Sequence, residues 1–236
     1  MMYKEILAAL FVLFLFCSVT FNDVIAGNNV FSTPDQLSAA SIGHGIENHH
    51  EISGQYPKWN PWIFSGLPST HSMQHVSRFY PPNIIIKGLA AIGLPWFWNY
   101  LLHYLFAGLG CFVLLRGLNA RFWSSVFGAV GFMLTPYMVT MIVHGHGSQM
   151  MTAAYIPWVF WGLHKCISQP GLRNAGILAV LLGLQLLRGH VQIAYYTWLL
   201  VGSYLLLYII PLIRYKKYIE LKAVFQVIGA MAMALL

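Results

Sequence analysis

Between Trp96 and Ile213 the chain is a succession of five apolar runs, broken only by short basic or polar turns. The runs are 96–115, 122–143, 150–167, 175–187 and 191–213. A helix needs about 20 apolar residues to cross the hydrocarbon core of a bilayer, so most of these runs have spanning length. Composition agrees: 58% of the 236 residues are hydrophobic and only 8% are charged, where a soluble domain carries about 25% charged residues. So few polar side chains cannot coat a water-facing surface. The apolar faces must meet lipid or one another, and the chain reads as an all-α polytopic membrane protein with residues 1–236 forming one transmembrane domain.

Two further runs, 6–25 and 219–236, bring the expected number of spans to about seven. Val24-Ile25-Ala26 resembles a signal-peptidase site, but the run before it is long for a signal peptide and reads as a retained anchor. The last run is still apolar at Leu236, as in a fragment of a longer protein. Two spans are irregular. Pro136 should kink the 122–143 span. The 175–187 run would reach only about 20 Å into a core of roughly 30 Å. One reading is that Arg188-Gly189-His190 interrupts the helix and lines a cavity. The other is that the helix runs on while Arg188 snorkels to the headgroups.

Charge orients the spans. With a cytoplasmic N-terminus, the inner ends hold Lys4, Arg116, Arg121, Lys165, Arg173, Arg214, Lys216, Lys217 and Lys222 against Glu5 and Glu220, a net of +7. The outer side holds Lys58, Arg78, Lys87 and Arg188 against Asp23, Asp35, Glu47 and Glu51, a net of zero. This is the positive-inside pattern. The cations sit at span ends rather than on one arm or face, which removes nucleic acid as a partner.

The orientation puts one large loop, residues 27–95, on the extracytoplasmic side. Thr33 as N-cap, Pro34 at the first helical position and Gln36 closing a capping box predict a helix there. Its Leu37, Ile42 and Ile46 would rest on the membrane surface, weakened by Gly43 and Gly45. Asp35 falls in the first turn. It serves either as a complement to the helix dipole or as a functional acid. In Pro57-Lys58-Trp59-Asn60-Pro61-Trp62-Ile63-Phe64-Ser65-Gly66-Leu67-Pro68 the prolines and glycines argue against a regular element. The aromatic residues suit the membrane interface. Arg78-Phe79-Tyr80-Pro81-Pro82-Asn83 then leads into an expected surface helix, 84–94. The loop also holds His44, His49, His50, His71 and His75.

His144-Gly145-His146 stands at the outer end of a span. Two histidines alone are weak support for a metal, and polar lining of a bundle mouth is the plainer account. Cys17, Cys111 and Cys166 lie in apolar runs with no metal or disulfide spacing. Nucleotide-binding, serine-hydrolase and zinc-protease motifs are absent from the sequence. Scarce ionisable groups beside short spans therefore mark the default site.

The order of these features, an acid in the first outer loop, then PKWNPWIFSGLPS, RFYPPN and LLRGHVQIAYY, resembles the bacterial membrane protein YfhO family. That family is similar in architecture to polytopic glycosyltransferases of the GT-C type. The resemblance covers most of residues 30–200. It implies a GT-C-like helical bundle in the bacterial cytoplasmic membrane, with a large first extracytoplasmic loop containing interfacial helices. The implied activity moves a sugar from a polyprenyl-phosphate donor to a cell-envelope glycan or lipid acceptor. The resemblance assigns the general base to Asp35, with Glu47 as a second acid. Arg188, His190, Gln192, Arg78, Asn60, His144 and His146 would hold the substrate, with Trp59 and Trp62 stacking on a sugar ring or lying against the prenyl chain. The chain has no D-x-D or E-x-D pair, so no cofactor is expected and a divalent metal has no support; cations alone would hold a lipid monophosphate. A transporter or flippase for lipid-linked precursors is the rival reading, and a non-catalytic assembly subunit is a third. The absence of an internal repeat in the sequence weighs against the inverted-repeat kind of transporter.

Overall fold

A computed structural model describes residues 2–26, 31, 33–62, 65–68, 79–216 and 220–235. Arg78, His71 and His75 lie outside the described residues, as does the side chain of Gln36. The described chain opens with helix α1 (Met2–Thr20) and the single turn α2 (Asn22–Ile25). The loop contributes α3 (Pro34–Ser53), a two-residue antiparallel pair β1 (Trp59–Asn60) and β2 (Leu67–Pro68), and α4 (Asn83–Ala91). The bundle continues with α5 (Phe97–Gly117), α6 (Phe122–Met133), α7 (Pro136–Val143), α8 (Gly147–Ala153), α9 (Ile156–Ser168), α10 (Leu172–Leu187), α11 (Val191–Arg214) and α12 (Leu221–Met233).

Among the described residues, four stretches are long and apolar enough to cross a membrane: Tyr3–Thr20, Phe97–Gly117, Phe122–Val143 and Val191–Arg214. The 16-residue α10 and the 13-residue α12 are shorter apolar helices. Large apolar side chains point outward from several helices, among them Phe127 on α6, Leu207 on α11 and Phe225 on α12, an exposure that suits lipid better than water. The protein is an all-α membrane protein with lipid as its solvent.

Several expectations shift in detail. The first span stops at Thr20, because Phe21 leaves the helix to pack against Phe97 and Tyr104. The loop helix runs on to Ser53 despite its glycines. The tryptophan–proline segment does pair, Trp59 with Pro68 and Asn60 with Leu67. The 150–167 run begins at Gly147 and breaks between Ala153 and Ile156, where Pro157 sits in the first turn of α9. Pro136 acts as expected. Thr135 caps α7 by accepting the Met138 amide, and Pro136 takes the first helical position, where it lacks no needed donor.

The chain folds back on itself by matching ends. Helices α1 and α5 run antiparallel. Phe21 meets Phe97 at one end, while Glu5 accepts from Arg116 Nε and Nη2 at 3.1 and 2.8 Å at the other. Between these ties Ala9, Leu13 and Cys17, four residues apart on one helix stripe, are wholly buried. They pack with Tyr104, Met133 and Met138 in one core. Gly108 permits this approach, since a Cβ there would stand 2.9 Å from Met133 Sδ. A second core joins α9, α10, α11 and α12 through Leu163, Leu178, Leu182, Leu205 and Val227. Helix α9 touches both α5 and α10 and so bridges the two cores.

Candidate functional site

The sharpest anomaly in the bundle is Arg188. It caps the C-terminal end of α10, and Gly189 at φ +87° turns the chain directly into α11. That backbone angle suits glycine, which explains why the helix stops here rather than running on. Arg188 is nonetheless only 7% exposed. The Tyr80 ring covers its guanidinium, whose carbon lies 5.1 Å from the ring centroid. Nη2 approaches Met151 Sδ at 3.0 Å, a weak acceptor, and Nε has no hydrogen-bond partner. Among the described residues no carboxylate lies within ion-pair distance of it. An arginine stays charged under all ordinary conditions, and burying such a charge without a counterion is costly. Among the described residues, a tyrosine from the loop between α2 and α5 lies against the guanidinium at the place where a cavity was expected.

Below Tyr80 runs a chain of hydrogen bonds. His103 Nδ1 donates to the Asn99 carbonyl at 2.7 Å, which leaves Nε2 to accept from the Tyr80 hydroxyl at 3.2 Å. The Tyr80 oxygen then accepts from Tyr155. Burial pushes the Tyr80 phenol above its ordinary value, against the lowering effects of the Tyr155 hydrogen bond and the Arg188 charge. One turn back from Arg188, the fully buried Gln185 donates to Thr197 Oγ1 at 2.9 Å and to the Thr152 carbonyl at 3.3 Å, leaving its own Oε1 unpartnered. A polar seam therefore crosses the largely apolar interior, with α5, α8, α10 and α11 each supplying a member.

Asp35 is placed near this seam. Asp35 Oδ2 lies 3.5 Å from His146 Nε2, and both side chains are open to solvent. His146 is the N-cap residue of α8, and His190 the N-cap residue of α11. Burial lowers the His190 pKa below the ordinary imidazole value, and neighbouring His146 pushes the same way. Asp35, His146, His190 and Arg188 thus collect at one end of the bundle, with the arginine beneath and the acid at the rim.

The remaining expected site residues are placed differently. Glu47 stands 12 positions from Asp35 on the continuous helix α3, about 18 Å along its axis. The two acids cannot reach one reacting atom together. His144 turns its ring back to its own helix, 2.8 Å from the Thr140 carbonyl. Gln192 donates to Tyr196 on the exposed surface of the first turns of α11. Asn60 is fully buried and accepts the Trp62 amide at 3.0 Å, which fixes the turn. Trp62 lies over Gly45 of α3, where a Cβ would stand 2.8 Å from the ring, and Trp59 lies over Gly66 at 2.5 Å. Both indoles are still half-exposed. Among the described residues there is no group of three or more His, Cys, Asp or Glu fit to hold a metal.

Sequence reasoning passed over Tyr80, His103, Tyr155, Gln185 and Thr197. A signal for some of them was present. Asn99 and His103, and Gln185 and Arg188, are polar pairs spaced to share one helix face within apolar runs. Comparison with protein-family models, with curated proteins and with solved structures finds no match to this chain.

Proposed function

We propose that this protein is a GT-C-like glycosyltransferase of the bacterial cytoplasmic membrane, using a polyprenyl-phosphate sugar to modify a cell-envelope glycan or lipid on the extracytoplasmic face. The observation that carries the reading is Arg188: a buried cation with no carboxylate partner among the described residues, held at the interrupted end of a short helix. Such a charge is tolerable if an anion joins it, and a phosphate monoester suits the planar guanidinium fork.

In this reading Asp35, oriented by His146, removes the proton from the acceptor hydroxyl. The hydroxyl oxygen bonds to the anomeric carbon as the bond from that carbon to the phosphate oxygen breaks. The electron pair leaves with the phosphate, and Arg188 stabilises the charge. Tyr80, reaching in from the loop, is placed to shield the phosphate from water.

The test uses membranes carrying the full chain, with radiolabelled polyprenyl-phosphate sugar and envelope acceptor. Asp35→Asn should lower transfer by about 10²–10⁴-fold, the usual contribution of general-base catalysis, while the protein accumulates normally. Transfer unaltered by Asp35→Asn removes the base. If Arg188→Met then abolishes movement of the lipid across the bilayer, the anion site belongs to a carrier instead.

A further inference from the structure

At the opposite end of the bundle from Asp35 lies a cavity of about 660 Å³ between α1, α5 and α9. Its size falls within the range of about 300–1,000 Å³ typical of ligand sites. It is not a packing fault left by mobile side chains. Trp158 is locked in its wall: Nε1 donates to the Phe106 carbonyl at 2.8 Å, and the ring stacks on Phe106 at 5.2 Å over Gly110. Trp161 packs edge-on against Trp158 at 5.9 Å.

The lining is graded. Along α9 it passes from Trp158 through Trp161 to Lys165, about 10 Å of helix. Along α5 it passes from Phe112 to Arg116 in the same direction. Both walls are therefore apolar towards the bundle centre and cationic at its end. Arg116 is already engaged by Glu5 and by the Ala120 carbonyl at 2.6 Å. Lys165 has no ion-pair partner among the described residues. The cavity thus carries one excess positive charge at its rim.

An acyl chain below and a phosphate above have the same polarity order as these walls. We infer that this cavity is a binding site for an anionic glycerophospholipid, with the phosphate on Lys165 and an acyl chain against Trp158 and Trp161. Basic pockets between transmembrane helices recognise acidic headgroups in this way, each cation near the surface contributing about 1 kcal/mol. The inference is independent of glycosyl transfer and stands whether or not Asp35 is a base.

The experiment is native mass spectrometry of the full chain, purified in detergent and mixed with equal amounts of dioleoyl phosphatidylglycerol and dioleoyl phosphatidylcholine. The native protein should retain phosphatidylglycerol in preference. Lys165→Gln should reduce that preference about fivefold, the equivalent of one such cation, and Lys165→Arg should keep it. Arg173→Gln removes a cation from the same end of the bundle but outside the cavity, and should leave the preference intact. Equal retention of the two lipids by the native protein overturns the inference. So does an equal loss in Lys165→Gln and Arg173→Gln, which would mean diffuse surface attraction rather than a site.

Discussion

Replacing Arg188 by Met should make the protein more stable while emptying its proposed anion site. Methionine follows the arginine stem, so packing against Tyr80 and Met151 survives in outline. What disappears is the guanidinium of a residue only 7% exposed, which faces a tyrosine ring at 5.1 Å and leaves Nε unpartnered. The residual burial penalty for one ion is several kcal/mol, whereas the lost contact with the aromatic face is worth about 2 kcal/mol when desolvated. The difference favours Arg188→Met by roughly 1–3 kcal/mol. For a chain of this size each kcal/mol moves the melting temperature by about 2–4 °C. Thermal unfolding in detergent, followed by tryptophan fluorescence, reads the shift directly. Polyprenyl phosphate added at about 100 times its Kd should stabilise the native protein by about 2.7 kcal/mol and Arg188→Met not at all. If Arg188→Met instead proves less stable by more than about 2 kcal/mol, the arginine is a satisfied structural cation and the argument for an anion fails.

Two smaller tests bear on the mouth of the site. Because His190 has a lowered pKa in the folded protein, the unfolded chain binds more protons as pH falls below the free imidazole value near 6.5. The stability conferred by its burial is complete above that pH and is lost as pH falls towards the folded value; His190→Asn, whose amide oxygen can replace Nδ1 as acceptor of the Ile193 amide, should flatten the acid limb of a melting-temperature profile. Gly45→Ala puts a methyl group 2.8 Å from the Trp62 ring, so the indole should swing out. Limited proteolysis between α3 and α4 should then quicken, and unchanged cleavage would mean that the hairpin is not seated on α3.

How far the sequence can be read depends on which physical term dominates at each place. The spans over 96–115, 122–143 and 191–213 were legible because lipid imposes length and apolarity directly, and the structure moves their ends by only a residue or two. The break at Leu187 was legible from shortness plus Gly189. The hairpin was not, because Asn60 makes its turn by bonding the Trp62 amide, a local device that the surrounding prolines mask. Nor was the cover on Arg188. Tyr80 is distant in sequence, and nothing in its own neighbourhood announces the charge it lies against. Asp35 and His146 came from separate expectations, one from a helix cap and one from a histidine pair; only folding puts them 3.5 Å apart.

The clasp between Glu5 and Arg116 also has a meaning in time. Its two halves are 111 residues apart, so at roughly 5–20 residues per second the first helix waits about 6–20 s on the ribosome before its partner exists. Over that interval the leading segment must hold its place by oiliness alone, and the later ionic closure registers α5 against a helix already installed.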